Sequence, residues 1–365
     1  MLPNATTSSS TDANGELRTA SRTASRKDEH LRINLEEDVA AKGIDTGFDD
    51  FRLVHRALPG IDLADVDLRT TFLGRPVGAP LLISCMTGGT EQTSVINQRL
   101  ARVAQHHRLT MGLGSCRVLL EQPDVLPSFD VREIASDVPL LANLGAVQLN
   151  LGVGVDQCRD LLRALRADAL VLHLNPLQEA LQPAGNTVFR GLLARIAHVC
   201  AELGAPVIVK EVGWGISEDL VAPLFEAGVA AVDIAGAGGT SWSEVERHRI
   251  SNPVRARVAA GFAGWGIPTT EALVRARSVA PDRMIIASGG VRDGIDVAKA
   301  LALGAGAVGI AGPLVRAAAA GDDALEETVE VILEELRLAM FCVGARHVDD
   351  LESHARITRC GGAAV

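Results

Sequence analysis

Eight short apolar runs, each closed by polar or glycine-rich residues and followed by a longer segment, most restrict how this chain folds. The runs are Pro80–Cys85, Thr110–Leu113, Pro139–Asn143, Ala169–Leu174, Pro206–Lys210, Ala230–Ala235, Met284–Ser288 and Ala307–Ala311. Apolar runs without polar alternation suit parallel strands covered on both faces. Between them, segments such as 91–107, 189–203, 269–280 and 293–303 carry apolar residues at helical spacing. Eight such units in succession predict an α/β protein, a (β/α)8 TIM barrel, in preference to an open doubly wound sheet.

In that fold the chemistry sits where strands end. The residues at those points change character together. They are Met86-Thr87-Gly88-Gly89, Ser115 with Arg117, Asn143, His173 with Asn175, Lys210-Glu211, Gly236–Thr240, Gly289–Arg292 and Gly312. One such mark is a turn signal; a full set at one end predicts a site.

Composition agrees with a large barrel core. The chain has 365 residues, 47% of them hydrophobic, with no tyrosine, so Leu, Val, Ile and Ala fill the interior. A net charge of −10 argues against a general nucleic-acid binder but leaves room for a local basic pocket. The six cysteines form no CxxC pair, so zinc ribbons and iron–sulfur clusters are not expected, and reduced thiols are. No run reaches the roughly eighteen residues of a membrane span, and the start of the chain lacks the apolar stretch of a signal peptide. The expectation is a cytoplasmic protein with a disordered tail over 1–25 and one domain over 26–365 ending in a helix.

Two regions stand outside the repeat. Val66–Phe72 reads as a short strand able to plug the far end of the barrel, within an N-terminal extension. The stretch between Thr240 and Pro268, after the sixth strand, is the longest insertion and reads as a long loop, a lid over the site.

The loops after strands seven and eight are the recurring phosphate site of this fold. Here they hold Ser288-Gly289-Gly290-Val291-Arg292 and Gly309-Ile310-Ala311-Gly312. Glycines admit a ligand close to the backbone, and helix N-terminal amides face an anion. A flavin phosphate fits this grip: Lys210 would set a cation beside the ring, Asn143 and Ser115 would bond its polar edge, and Met86-Thr87 would cover it. Lys210 also fits a Schiff-base lysine or a partner of Glu211, and the residues alone leave these readings open.

Taken in order, Arg26-Lys27-Asp28-Glu29-His30, Met86–Gly89, His173-Leu174-Asn175-Pro176-Leu177-Gln178-Glu179-Ala180, Val209–Gly213, Ala235–Trp242 and Ser288–Arg292 form a family pattern. Across 26–347 the chain resembles the FMN-dependent type 2 isopentenyl-diphosphate delta-isomerases. The resemblance implies interconversion of isopentenyl and dimethylallyl diphosphate, with reduced FMN as acid/base, Mg²⁺, and NADPH as reductant. It implies catalytic roles for Gln178, Lys210 and His173, and substrate contacts from Arg26, Lys27, Ser115, Arg117, His173, Asn175 and Gln178. Cofactor contacts would come from Cys85, Met86, Thr87, Ser115, Asn143, Lys210, Thr240, Gly290, Val291, Arg292, Ala311 and Gly312, and Glu179 would hold Mg²⁺. A homo-oligomer, tetramer or octamer, is also implied, with no nucleic-acid or membrane partner. Trp214 and Ala237 depart from the usual pattern at positions expected on the rim of the site. The alternative is an FMN oxidoreductase of the same barrel superfamily, of the α-hydroxy-acid oxidase or dihydroorotate dehydrogenase type.

Overall fold

A computed structural model of the chain describes residues 27–85, 88–354 and 357–360. Eight parallel strands close into a barrel: Leu81–Ile83, Thr110–Ser115, Leu140–Gly145, Ala169–His173, Val207–Lys210, Ala231–Asp233, Met284–Ser288 and Ala307–Ile310. Closure comes from the eighth strand pairing with the first, Val308 opposite Leu81 and Ile310 opposite Ile83. All eight coincide with the apolar runs of the sequence, and the helices Glu91–His107, Leu192–Glu202, Thr269–Val279 and Gly294–Ala302 fall in the helically spaced segments between them. Side chains cap the first and last of these helices. Thr90 accepts from the Thr93 amide at 3.3 Å and Asp293 from the Asp296 amide at 2.7 Å.

Because side chains alternate along a strand, each strand contributes to two cores. Leu81, Ile83, Met111, Leu140, Leu170, Val207, Val232, Ile285 and Val308 pack outward against the helices. Leu82, Leu141, Ala169, Val171, Ile208, Ala231, Ile286 and Ala307 fill the barrel interior.

The interior is stoppered from below by a hairpin, Thr70–Phe72 paired with Arg75–Val77, whose buried Phe72 and Val77 join that inner cluster. The expected plug is therefore present, but it is shorter than Val66–Phe72 and has a second strand. The extended chain breaks at Asp67, whose carboxylate takes both the backbone amide and the guanidinium of Arg69.

The long insertion is not a loop. It folds into two helices, Trp242–Arg249 and Pro253–Ala260. Its helical period was masked because the face it buries is polar: Ser243, Glu244 and Glu246 are among its buried residues. The second helix starts on Asn252, whose side chain accepts from the Val254 and Arg255 amides. Against the first of these two helices lies the N-terminal helix 27–36, at the mouth of the barrel. Ile33 and Val39 pack on Val245 and Trp242, and the backbone of Ala41 bonds to Gly239 at 2.9 Å. The other end of the chain also returns to the N-terminal region, Phe51–Leu53 pairing antiparallel with Ile357–Arg359. No helix among the described residues is long and apolar enough to cross a membrane, and all six cysteines are free thiols.

Candidate active site

Two residues beyond the inner apolar set, on the same face of each strand, the interior turns polar. Leu82 gives way to Ser84, Leu141 to Asn143, Val171 to His173, Ile208 to Lys210, Ala231 to Asp233, Ile286 to Ser288 and Ala307 to Gly309. Register places Lys210 beside His173 on one side and Asp233 on the other. The mouth above divides into two adjoining cavities that share Asn34, Cys85, Lys210, Val212 and Trp242.

The first cavity is built mainly from side chains. Lys27, Ser115, Arg117, Asn143, His173, Asn175, Gln178 and Glu179 all line it. His173 Nδ1 lies 2.9 Å from Asn143 Oδ1. Burial, then the charge of Lys210, pushes its pKa down to about 4, so the ring is neutral near pH 7. A ring donating from Nδ1 leaves Nε2 as an acceptor. Asn175 donates to Gln178 Oε1 at 3.0 Å and to Glu179 Oε1 at 3.1 Å, while Glu179 Oε2 takes the Asn186 amide at 2.5 Å. The Asn175 Oδ1 atom is buried without a hydrogen-bond partner. Lys27 Nζ donates to the Ser115 carbonyl at 3.0 Å and lies 4.8 Å from the Phe129 ring centre. Arg117 pairs with Glu121 at 3.0 Å.

Behind these groups stands a buried network that the sequence did not disclose. Glu246 accepts from Gln178 Nε2 at 3.2 Å and Arg249 at 2.6 Å, and contacts His30 Nε2 at 3.1 Å. Burial works to raise its pKa, but His30 and Arg249 outweigh this and hold the carboxyl below its ordinary value. Trp242, edge-on to His30 with ring centres 5.2 Å apart, lines both cavities.

The second cavity is built mainly from backbone. Gly238, Gly239, Thr240, Gly289, Gly290, Val291, Gly309, Ala311 and Gly312 line it. Gly290 has φ +71° and stands where a Cβ would come within 2.8 Å of the Gly239 amide nitrogen. At Gly309 a Cβ would meet Ser84 Oγ at 2.5 Å, and that hydroxyl is buried with no partner. The helix Gly312–Ala320 opens at this cavity. Arg316, on its second turn and unnoticed in the sequence, lines the cavity too and makes no ion pair among the described residues.

Several expected contacts are placed differently. Arg292 borders the second cavity, but its guanidinium is bound to Asp296 at 2.9 Å and Asp49 at 3.0 Å, whereas Arg316 lines it without an ion pair among the described residues. Ser115, expected at both substrate and cofactor, lines the first cavity, as does Asn143, expected beside the cofactor, whereas Cys85 and Lys210 line both. Trp214 and Ala237 are not on the rim. They are 6% and 1% exposed and buried behind the mouth, where the Trp214 carbonyl accepts from the Ile267 amide and the Ala237 amide donates to the Ile267 carbonyl. Arg26, Met86 and Thr87 lie outside the described residues.

Comparison with known proteins adds three findings. The sequence profile of the FMN-dependent dehydrogenase family matches residues 156–358. An isopentenyl-diphosphate delta-isomerase of Nostoc sp. is 49% identical over 340 residues, 93% of this chain and 97% of that protein. One of Synechococcus sp. is 54% identical over 317 residues, 87% and 91% of the two chains. Among solved structures, a mandelate oxidase superposes with a TM-score of 0.65 over 94% of this chain and 98% of its own, at 19% identity. That last likeness is one of fold.

Proposed function

Since the chain belongs to the isopentenyl-diphosphate delta-isomerase family and carries an FMN-dependent dehydrogenase barrel, we propose that its two cavities divide the work. The glycine-built cavity holds FMN, and the side-chain-built cavity holds isopentenyl diphosphate with Mg²⁺. The observation that carries this division is the pair of adjoining cavities meeting at Lys210.

The residues present fit both groups. Toward FMN, the Gly289-Gly290 loop, the amides opening the helix Gly312–Ala320, Arg316 and the unpartnered Ser84 hydroxyl form a cradle for a phosphate. Toward Mg²⁺, the buried Glu179 carboxylate and the unpartnered Asn175 Oδ1 are hard oxygen donors in the same cavity. Mg²⁺ commonly takes one or two carboxylates, with substrate phosphates and water completing the shell. Bound reduced flavin supplies acid/base chemistry next to the alkene, and NADPH is the reductant carried over from the family resemblance.

The isomerisation adds a proton at the terminal methylene carbon and removes one from the carbon two bonds away, with no net oxidation. Lys27 and Arg117 meet the diphosphate charge, Arg in bidentate geometry and Lys as a point charge. Neutral His173 offers an acceptor without adding a cation to that cavity. Gln178 is fixed at both ends of its amide, by Asn175 and Glu246, so it presents one orientation to the substrate. The helix 27–36 and Trp242 close over the mouth and keep water from the positive charge developing on the alkene.

The test is anaerobic incubation with isopentenyl diphosphate, FMN, Mg²⁺ and NADPH. Dimethylallyl diphosphate should form without stoichiometric NADPH consumption. Bound, reduced flavin with no product would remove this reading, and a reduced product formed with stoichiometric NADPH use would favour the oxidoreductase alternative. We carry the homo-oligomer over from the resemblance as well; exposed Val254, Val258 and Trp265 give a second copy an apolar surface near the mouth.

A further inference from the structure

Asp233 is 1% exposed, at the polar end of a strand that is otherwise apolar, and no role described so far uses it. A buried carboxylate without a partner is costly, so each of its oxygens needs an explanation. Oδ1 has one: it accepts from Ser288 Oγ at 2.6 Å and from the Ala235 amide at 3.2 Å. Oδ2 makes no hydrogen bond, is buried, and lies 3.8 Å from Lys210 Nζ. The Lys210 ammonium instead donates to the Glu211 carbonyl at 2.7 Å. Lys210 and Asp233 are opposite one another in register on neighbouring strands, so the backbone itself fixes this distance. The lysine thus sits between two acceptors, one engaged and one within a small rotation. His173 flanks Lys210 on the other strand, and Asp233 is the carboxylate that faces the ammonium in register across the top of the barrel.

We propose that Asp233 is a positioning residue for the reaction: anchored through Ser288 to the Gly289-Gly290 loop, it keeps the Lys210 ammonium at the junction of the two cavities. Geometry makes the assignment. One carboxylate oxygen is tied to the loop of one cavity, and the other faces Lys210, the one cation among the described residues that both cavities share. The inference rests on FMN occupying the glycine-built cavity.

The sign of one measurement separates positioning from plain charge. In the holoenzyme, reduced anaerobically, the pH at which the bound reduced flavin loses its ring proton is read from its absorbance. A well-placed ammonium favours the deprotonated ring and lowers that pH. Asp233→Asn keeps the shape and a bond to Ser288. If Asp233 positions Lys210, the midpoint moves up, in the same direction as in Lys210→Ala, and adding Asp233→Asn to Lys210→Ala moves it no further. If Asp233 is only a nearby negative charge, removing it moves the midpoint down; if it only packs, nothing moves. Either result overturns the proposal. Ser288→Ala, which frees the carboxylate without removing it, should give a smaller upward shift and serves if Asp233→Asn does not fold. A wild-type protein that fails to retain FMN defeats the underlying reading; one that retains it with an unmoved midpoint defeats this inference alone.

Discussion

The two halves of the barrel mouth are made of different material. On one side Gly238, Gly239, Gly289, Gly290, Gly309 and Gly312 form the wall from backbone. On the other, His173, Asn175, Gln178 and Glu179 form it from side chains that brace one another. A backbone wall can accept an anion through amides at a helix start, and it tolerates no added bulk. A side-chain wall places particular groups at particular atoms, and it tolerates a change in any one of them at a cost confined to that group. The same eight strands thus deliver a socket on one side and a set of instruments on the other.

The largest expected effect breaks the socket. Gly290→Val puts a branched residue at φ +71° against the Gly239 backbone. Left-handed backbone costs about 1–2 kcal/mol for an L-residue and overpacking about 1–3 kcal/mol. Roughly a hundredfold weaker FMN binding should follow, about 3 kcal/mol, measured by flavin titration alongside a melting curve. Binding left within twofold would show that the loop does not grip the phosphate.

The second effect is smaller and should stay on the other side. Glu179→Gln should lower Mg²⁺-dependent turnover by at least about ten- to hundredfold, the range for losing a group that merely supports a metal ligand. FMN content should remain that of the wild type. A Mg²⁺ titration identical to the wild type's would remove Glu179 from the metal site.

The smallest effect compares two buried groups that titrate in opposite senses. Burial, then Lys210, lowers the His173 pKa from 6.5 to about 4, so between these values the native state binds fewer protons than the unfolded chain and stability rises with pH. Burial raises Glu211 from 4.5 to about 7 against its bonds to the Val212, Gly213 and Trp214 amides. There the native state binds more protons, and stability falls as pH rises. Between about pH 4.5 and 6.5 the two slopes oppose each other. Melting temperature should fall with rising pH in His173→Gln and rise with it in Glu211→Gln; like-signed slopes in both variants would contradict the assignment.

The socket was legible in the sequence because glycine-rich runs after strands seven and eight have few other reasons to recur, and the eight apolar runs had already fixed which strands those were. The instruments were legible where they ended a run, as His173 and Lys210 do. The partners of Arg292 were not legible, because a sequence shows a cation near a glycine-rich loop without showing Asp49 and Asp296 waiting for it. Glu246 was missed because its partners lie 216 and 68 positions away. Asp233 did leave a signal: a carboxylate inside an apolar run has to be paired when the run is buried. The partner followed only from barrel register.

The helix 27–36 that closes the mouth touches both cavities through Asn34, and its neighbours bond to residues near 240. In a chain synthesised from its N-terminus, these are among the first described residues to emerge and among the last to find their place. They must wait for strands six to eight and the helix Trp242–Arg249 before they have anything to dock against. A chain released before those strands would keep Lys27 and His30 but have no mouth for them to cover, so the pocket is completed only after the last barrel strand has been made.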